Sequence, residues 1–495
     1  MDVRRLALAG ALVTAAVYAP SLAGDWVWDD WYQIADPTPF RDPWRLVTMD
    51  VWGALNDTPS DLYRPLPLLS HVPGQVLSPG PFVERLLSLL LHLGNAALVA
   101  FIARRVGASA LAAWAASLLF ALHPIASETV AWASARHDLL ATTCLLGGWA
   151  LVLDRRDLAA GVVLGLAPFC KESFLLTPLA TGVFLLGVGR PARKALTGSV
   201  VGVAAYLGIR AALDLPLSAG RTDDLLGAFG AVGLRFAELL AVPTSPDAFA
   251  AFTSRPALGV AFALGGLVLV VLARGRAAVA VVAAPALLVA ASASAAAFNG
   301  FLADRYYYVL WAGTAVAVGV LATATDPDRE KRAVVAVALV AALLAPFTAL
   351  RAMDWTSNAA LYSSSLERDP SNPHAAWRAA RDLHTRADDC AAAIPLYRVG
   401  IDADPRAGNN LQACLMNQAD WEGAAAMGPD LMARDPANPT PAFNTAWSYA
   451  ALGRFEEAKA VAQECLRRAP DHAKARDLVG RLDRKLSEQG GEVAP

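Results

Sequence analysis

The stretch LALAGALVTAAVYAPSL (6–22) runs directly into AGDWVWDDWYQI (23–34), and this junction decides the fold. A run of that length and apolarity is enough to cross a bilayer. Trp and Tyr favour the headgroup level, so the aromatic stretch behind it leaves the membrane at its surface and carries Asp29 and Asp30 with it. Two close carboxylates push the pKa of one partner upward, which suits a general base acting beside a lipid headgroup. The structural alternative is a pair of solvated caps on a short interfacial helix. The opening residues would also pass as a cleaved signal peptide, but we read 6–22 as a retained first span, because the acidic pair needs an anchor.

Working outward, the whole chain has 495 residues, of which 56% are hydrophobic and only 17% charged. Soluble proteins carry about 25% charged residues. The deficit lies before residue 351 and the remainder is polar, so a membrane domain precedes a soluble one. Further apolar runs fall at 84–103, 108–123, 137–153, 158–170, 173–188, 195–213, 256–273, 277–297, 304–323 and 333–350, about eleven spans in all. The segment 225–242 contains Arg235 and Glu238 and reads as interfacial. The expected division is 1–350 for the membrane domain, with a long first loop at 24–83, then 351–488 for the soluble domain and 489–495 for a disordered tail.

Arg4 and Arg5, Arg104 and Arg105, Arg155 and Arg156, Arg190 with Arg193 and Lys194, Arg274 and Arg276, and Arg329 with Lys331 and Arg332 all fall on one side. That is the positive-inside pattern, which makes the N-terminus cytoplasmic and the Asp29 loop and soluble domain extracytoplasmic. The net charge of −2 and the lack of a basic run argue against a nucleic-acid partner. The five cysteines make no metal-type spacing. Cys390 and Cys414 would pair in an exported domain, but unpaired core thiols are the favoured reading.

The remaining unexpected charges gather on the side of Asp29. Arg64, in Tyr63-Arg64-Pro65-Leu66-Pro67, suits bidentate contact with a phosphate. His123-Pro124-Ile125 ends the third run, followed by Glu128 and then Arg136-His137-Asp138. Lys171-Glu172 lies between two short runs, and Asp304-Arg305-Tyr306-Tyr307-Tyr308 opens the tenth. Snorkelling ion pairs and an aromatic belt are the structural alternatives. A transporter would more often hold such groups near the midplane. His92, near Asn95, reads as an interhelical hydrogen-bonding residue.

Past residue 353, Pro370, Pro405, Pro436 and Pro470 recur at intervals of 35, 31 and 34. This is the period of the tetratricopeptide (TPR) unit, a pair of antiparallel helices. Trp377, Trp421 and Phe455 take large positions, while Ala393, Ala424 and Ala458 take the small ones where two helices touch. Tyr449 and Gly453 fit the third unit. The expected fold class is therefore all-α: a polytopic membrane helix bundle followed by a C-terminal TPR solenoid.

Val27-Trp28-Asp29-Asp30, Tyr63-Arg64-Pro65-Leu66, Leu122-His123-Pro124-Ile125 with Glu128 and Arg136, Lys171-Glu172 and Asp304-Arg305-Tyr306 follow one another as in the transmembrane and TPR repeat-containing proteins. The chain resembles that family, which is similar to protein O-mannosyltransferases and has the GT-C glycosyltransferase fold. The resemblance implies a membrane enzyme that takes a sugar from a polyprenyl-phosphate donor and places it on a Ser or Thr hydroxyl of an exported protein. It makes Asp29 and Asp30 candidates for the base, and Arg64, Arg136, Lys171 and Arg305 candidates for holding the lipid phosphate. His123 and Glu128, with Glu172, become candidates for shaping the pocket. No cofactor is required, and a divalent metal at Asp29 and Asp30 is compatible with the chemistry but not expected. The Ala-, Arg- and Pro-rich composition points to a bacterial inner-membrane protein, whose sugar need not be mannose. A lipid or glycan acceptor, or a non-enzymatic scaffold recruiting protein partners through its repeats, are the other readings.

Overall fold

The computed structural model describes residues 3–57, 60–215, 224–242, 247–273, 275–293, 296 and 299–491. Arg274 and the end of the expected tail, 492–495, lie outside the described residues. The described residues are almost wholly helical. One short antiparallel pair, Ala250–Ala251 against Phe301–Leu302, is the exception. Two compact units, Met1–Leu361 and Tyr362–Pro495, divide inside the helix Asn358–Arg368.

In the first unit each of the apolar runs lies mainly on a helix among the described residues. Val3–Leu22, Pro81–Arg105, Arg193–Ala212 and the helix opening at Pro327 are long and apolar enough to cross a membrane by length and composition. Ala110–Ala121 and Pro124–Ala131 together make a fifth, bent by 54°. The bend has a local cause. Pro124 cannot donate to the preceding turn, and His123 Nδ1 accepts from the Ile125 amide at 3.2 Å to restart the chain. Shorter apolar helices, among them Pro256–Leu272 and Ala277–Ala291, complete the bundle. Large apolar side chains such as Leu8, Leu264, Leu343 and Leu350 point outward. Such exposure is costly in water and costs nothing in lipid.

Glycines pack one pair of these helices closely. Gly161 and Gly165 on Asp157–Leu166 face Gly198 and Gly202 on Arg193–Ala212, so closely that a side chain on either of the latter would run into the facing backbone. Spacing glycines four apart lets two membrane helices touch backbone to backbone.

The second unit is an array of antiparallel helix pairs. Pro373–Arg386 pairs with Cys390–Gly400, Pro405–Asn417 with Trp421–Arg434, and Thr440–Ala451 with Phe455–Arg468, and Ala473–Gly491 closes the series. Side chains of Asn372, Asp389, Asp404 and Asp420 cap four of these helices. Ala393, Ala424 and Ala458 are fully buried where the pairs meet. Gly400 lies against Trp377, where a Cβ would come within 2.5 Å of the Trp377 Cβ.

The reading of unpaired thiols is corrected here. Cys390 and Cys414 are disulfide-bonded, with Cα atoms 5.1 Å apart. Cys390 opens its helix and Cys414 lies on the first helix of the next pair, so solenoid packing brings together residues that spacing alone leaves ambiguous.

Candidate functional site

The acidic pair divides its roles. Asp30 is fully buried. Its Oδ1 accepts from the Ser134 amide at 2.9 Å and the Ser134 hydroxyl at 2.5 Å, and its Oδ2 from the Val27 amide at 3.2 Å. Burial pushes this carboxyl up to about 6, against the pull of Ser134 and of Arg85. The raised value arises from lost hydration rather than from the neighbouring charge the sequence suggested. Asp29 is partly exposed at the start of the short helix Asp30–Gln33, and its side chain does not cap that helix. Trp28, just before it, has a left-handed backbone (φ +53°), which is rare for a bulky residue. Its ring stacks on Trp132 at 4.8 Å.

Arg305 lies over this aromatic floor, its guanidinium 5.8 Å from the Trp28 ring, 5.0 Å from Trp132 and 5.1 Å from Tyr306. Its Nη1 donates to Glu128 Oε1 and its amide to Glu128 Oε2 at 3.1 Å. The rest of the guanidinium edge has no hydrogen-bond partner among the described residues. Lys171 Nζ sits 4.9 Å above the same Tyr306 ring and donates to Asp138 Oδ1 at 2.5 Å. Asp138 Oδ2 lies 3.0 Å from His137 Nε2. Arg64 meets Glu172 at 2.8 Å, and the Tyr63 amide donates to the other Glu172 oxygen at 3.2 Å.

These pairs form one electrostatic group: Asp138 feels Lys171, His137 and Arg305, and Lys171 feels Arg305 and Arg64. Arg64 with Glu172, Lys171 with Asp138 and Arg305 with Glu128 are the pairs in this group, drawn from positions up to 241 apart in sequence (305 minus 64). Each cation is held by a carboxylate, so an incoming anion meets prearranged donors.

Two candidates stand elsewhere. Arg136 is buried on Glu84 (Nη2 to Oε2, 2.5 Å) and also donates to the Ser70 carbonyl at 2.9 Å, with His71 Nδ1 2.8 Å from the same carboxylate. Its charge is consumed in tying the first loop to the Pro81–Arg105 helix, which leaves no cation for a phosphate. His123 packs on Trp311 at 4.2 Å and caps the break in its span. Conversely, Asp138, His137 and Tyr306, the last of them read from the sequence as part of an aromatic belt, lie in the group around Lys171 and Arg305. Residues 136 and 138 lie two apart on one helix and so point to different faces. That spacing was the available signal for separating Arg136 from Asp138. Among the described residues His384, Cys390 and Cys414 come within metal-ligand distance, but the two sulfurs are bonded to each other.

Fold and site together define a polytopic membrane protein with a charged, aromatic-floored cluster and a C-terminal TPR array. No family model matches the chain. It is similar in sequence to proteins named protein O-mannosyl-transferases. It is 34% identical to protein O-mannosyl-transferase Tmtc2 of Drosophila melanogaster over 188 residues, which is 34% of this chain and 20% of that protein. The figures for TMTC1 of Homo sapiens are 34% over 179 residues, again 34% and 20%. For human TMTC4 they are 32% over 151 residues, 26% and 20%. The match spans about a fifth of each of these relatives. Among solved structures, the TPR domain of P58(IPK) aligns with 77% of this chain and 94% of its own at 12% identity and a TM-score of 0.23, too slight a likeness to bear on the fold.

Proposed function

We propose that this chain is a membrane glycosyltransferase that moves a sugar, mannose or one like it, from a polyprenyl-phosphate donor to a Ser or Thr hydroxyl of an exported protein. The work is done on the extracytoplasmic face in a GT-C-type membrane domain. The names of the relatives support the transferase and its protein acceptor. The observation that carries the chemistry is the convergence of Lys171 and Arg305 on the Tyr306 ring, with Arg305 also over Trp28, the residue before Asp29, and with Arg64 an electrostatic neighbour of Lys171.

In this mechanism Asp29 takes the proton of the acceptor hydroxyl as its oxygen attacks the anomeric carbon. The bond from that carbon to the phosphate oxygen breaks, and the electron pair leaves with the lipid phosphate. Arg305, through its open guanidinium edge, and Lys171 and Arg64 receive the growing charge. A single displacement inverts the anomeric centre and needs no covalent intermediate. The cations meet the charge of the leaving phosphate, so a divalent metal is not required. Asp30 acts through structure: burial and three donors make it the brace of the loop. The disulfide-bonded array, in an oxidising extracytoplasmic space, would present acceptor proteins.

The test is transfer from radiolabelled polyprenyl-phosphate sugars by reconstituted wild type, Asp29→Asn and Asp30→Asn. Label in protein, lost in Asp29→Asn, is the expected result. Label in the lipid fraction would turn the acceptor into an envelope lipid or glycan. No transfer by wild type from any donor would leave the scaffold reading instead.

A further inference from the structure

The segment that follows the last membrane helix is bonded to the acidic loop at several points. The Asp25 amide donates to the Thr356 carbonyl at 2.8 Å, and the Trp28 amide to Asn358 Oδ1 at 2.7 Å. Arg85, itself buried, donates to the Trp355 carbonyl at 2.7 Å, to the Ser21 carbonyl at 2.7 Å and to the Asp25 carbonyl. Trp355 stacks on Trp132 at 5.4 Å, which extends the Trp28–Trp132 stack to a third ring. Gly24 is pressed so near this segment that a Cβ there would fall 2.6 Å from Thr356 Cα.

Trp28 needs such support. A left-handed backbone at a bulky residue costs roughly 1–3 kcal/mol and persists only where the surroundings over-determine it. Side-chain and backbone restraints meet on Trp28: its ring is packed by Trp132, Phe249 and Phe301, and its amide donates to the Asn358 oxygen. The φ of Trp28 in turn sets the direction in which the next residue, Asp29, leaves the loop.

We infer that Asn358 is a positioning residue for the transfer reaction: its side-chain oxygen, held at the first turn after the last span, fixes Trp28 and thereby aims Asp29. This rests on the transferase reading above. Ser357 serves the helix start, its hydroxyl accepting from the Ala360 amide at 3.1 Å, while the Asn358 oxygen accepts from the Trp28 amide. The helix that Asn358 opens continues as Asn358–Arg368 into the second unit, so the loop bearing the base is gripped by the chain that leads to the array.

The experiment compares full-length wild type, Asn358→Ala and Asn358→Asp by hydrogen–deuterium exchange and by transfer kinetics. Asn358→Ala is expected to speed exchange over residues 24–34 and to lower kcat about 10- to 100-fold, the cost of misplacing a reacting group by about an ångström, with donor KM little changed. Asn358→Asp keeps an acceptor oxygen and should restore both. Unchanged exchange over 24–34 in Asn358→Ala, or failure of Asn358→Asp to restore it, overturns the assignment. If exchange responds as expected but wild type transfers no sugar, the grip on the loop stands and the transferase reading fails separately.

Discussion

Asp30 and Ser134 stand 104 residues apart and are joined twice, the carboxylate Oδ1 accepting both the amide (2.9 Å) and the hydroxyl (2.5 Å) of Ser134. Through this one oxygen the loop after the first helix is seated on the turn that precedes the Arg136–Leu153 helix. The neighbouring Asp29 is left partly exposed.

That seat makes stability depend on pH. The folded protein holds the Asp30 proton up to about pH 6, whereas the reference carboxyl loses it near 3.8. The folded state therefore binds more protons between those values, and stability should fall as pH rises from about 4 to about 6, by at most about 3 kcal/mol, and be flat outside that window. Melting curves in detergent across the window would check it. The slope should vanish in Asp30→Asn and steepen in Ser134→Ala, which removes a donor that favours the charged form.

The two aspartates should separate in kinetics. Asp29→Asn is expected to lower kcat about 100- to 10,000-fold, as for loss of a general base, with little change in melting. Asp30→Ala orphans the Val27 amide and both Ser134 donors and should destabilise by at least about 2 kcal/mol. Equal behaviour of the two in both assays would remove the division of labour.

The basic residues should divide likewise. Lys171→Met and Arg305→Lys are expected to slow transfer at least tenfold, the latter because lysine lacks the guanidinium edge that stays open beside Glu128. Arg136→Met leaves Glu84 buried without its partner and should cost about 3–5 kcal/mol in folding while leaving the donor KM of whatever protein folds unaltered. Thermal unfolding and donor titration of the same preparations separate the two outcomes.

Reduction should weaken the array. The Cys390–Cys414 bond closes a loop of 24 residues, for which chain entropy gives about 3 kcal/mol. Thiol counting on unreduced, unfolded protein should find Cys144, Cys170 and Cys465 only. A count of five would deny the bond and, with it, the support it lends to an extracytoplasmic array.

The sequence by itself determined the two-part, all-helical plan, because apolar runs and a repeat near 34 residues are local properties that chain order carries intact. The tertiary structure alone decided which charges act together. Arg136 and Lys171 look alike in the chain, yet one is spent on Glu84 and the other stands over Tyr306 beside Arg305. The partner of a buried ion depends on which helix faces arrive beside it, and at 100° per residue two positions in one motif can end in different company. For the same reason Asp29 and Asp30 read as a pair and fold as opposites. One is turned inward to accept three hydrogen bonds and the other is left partly exposed.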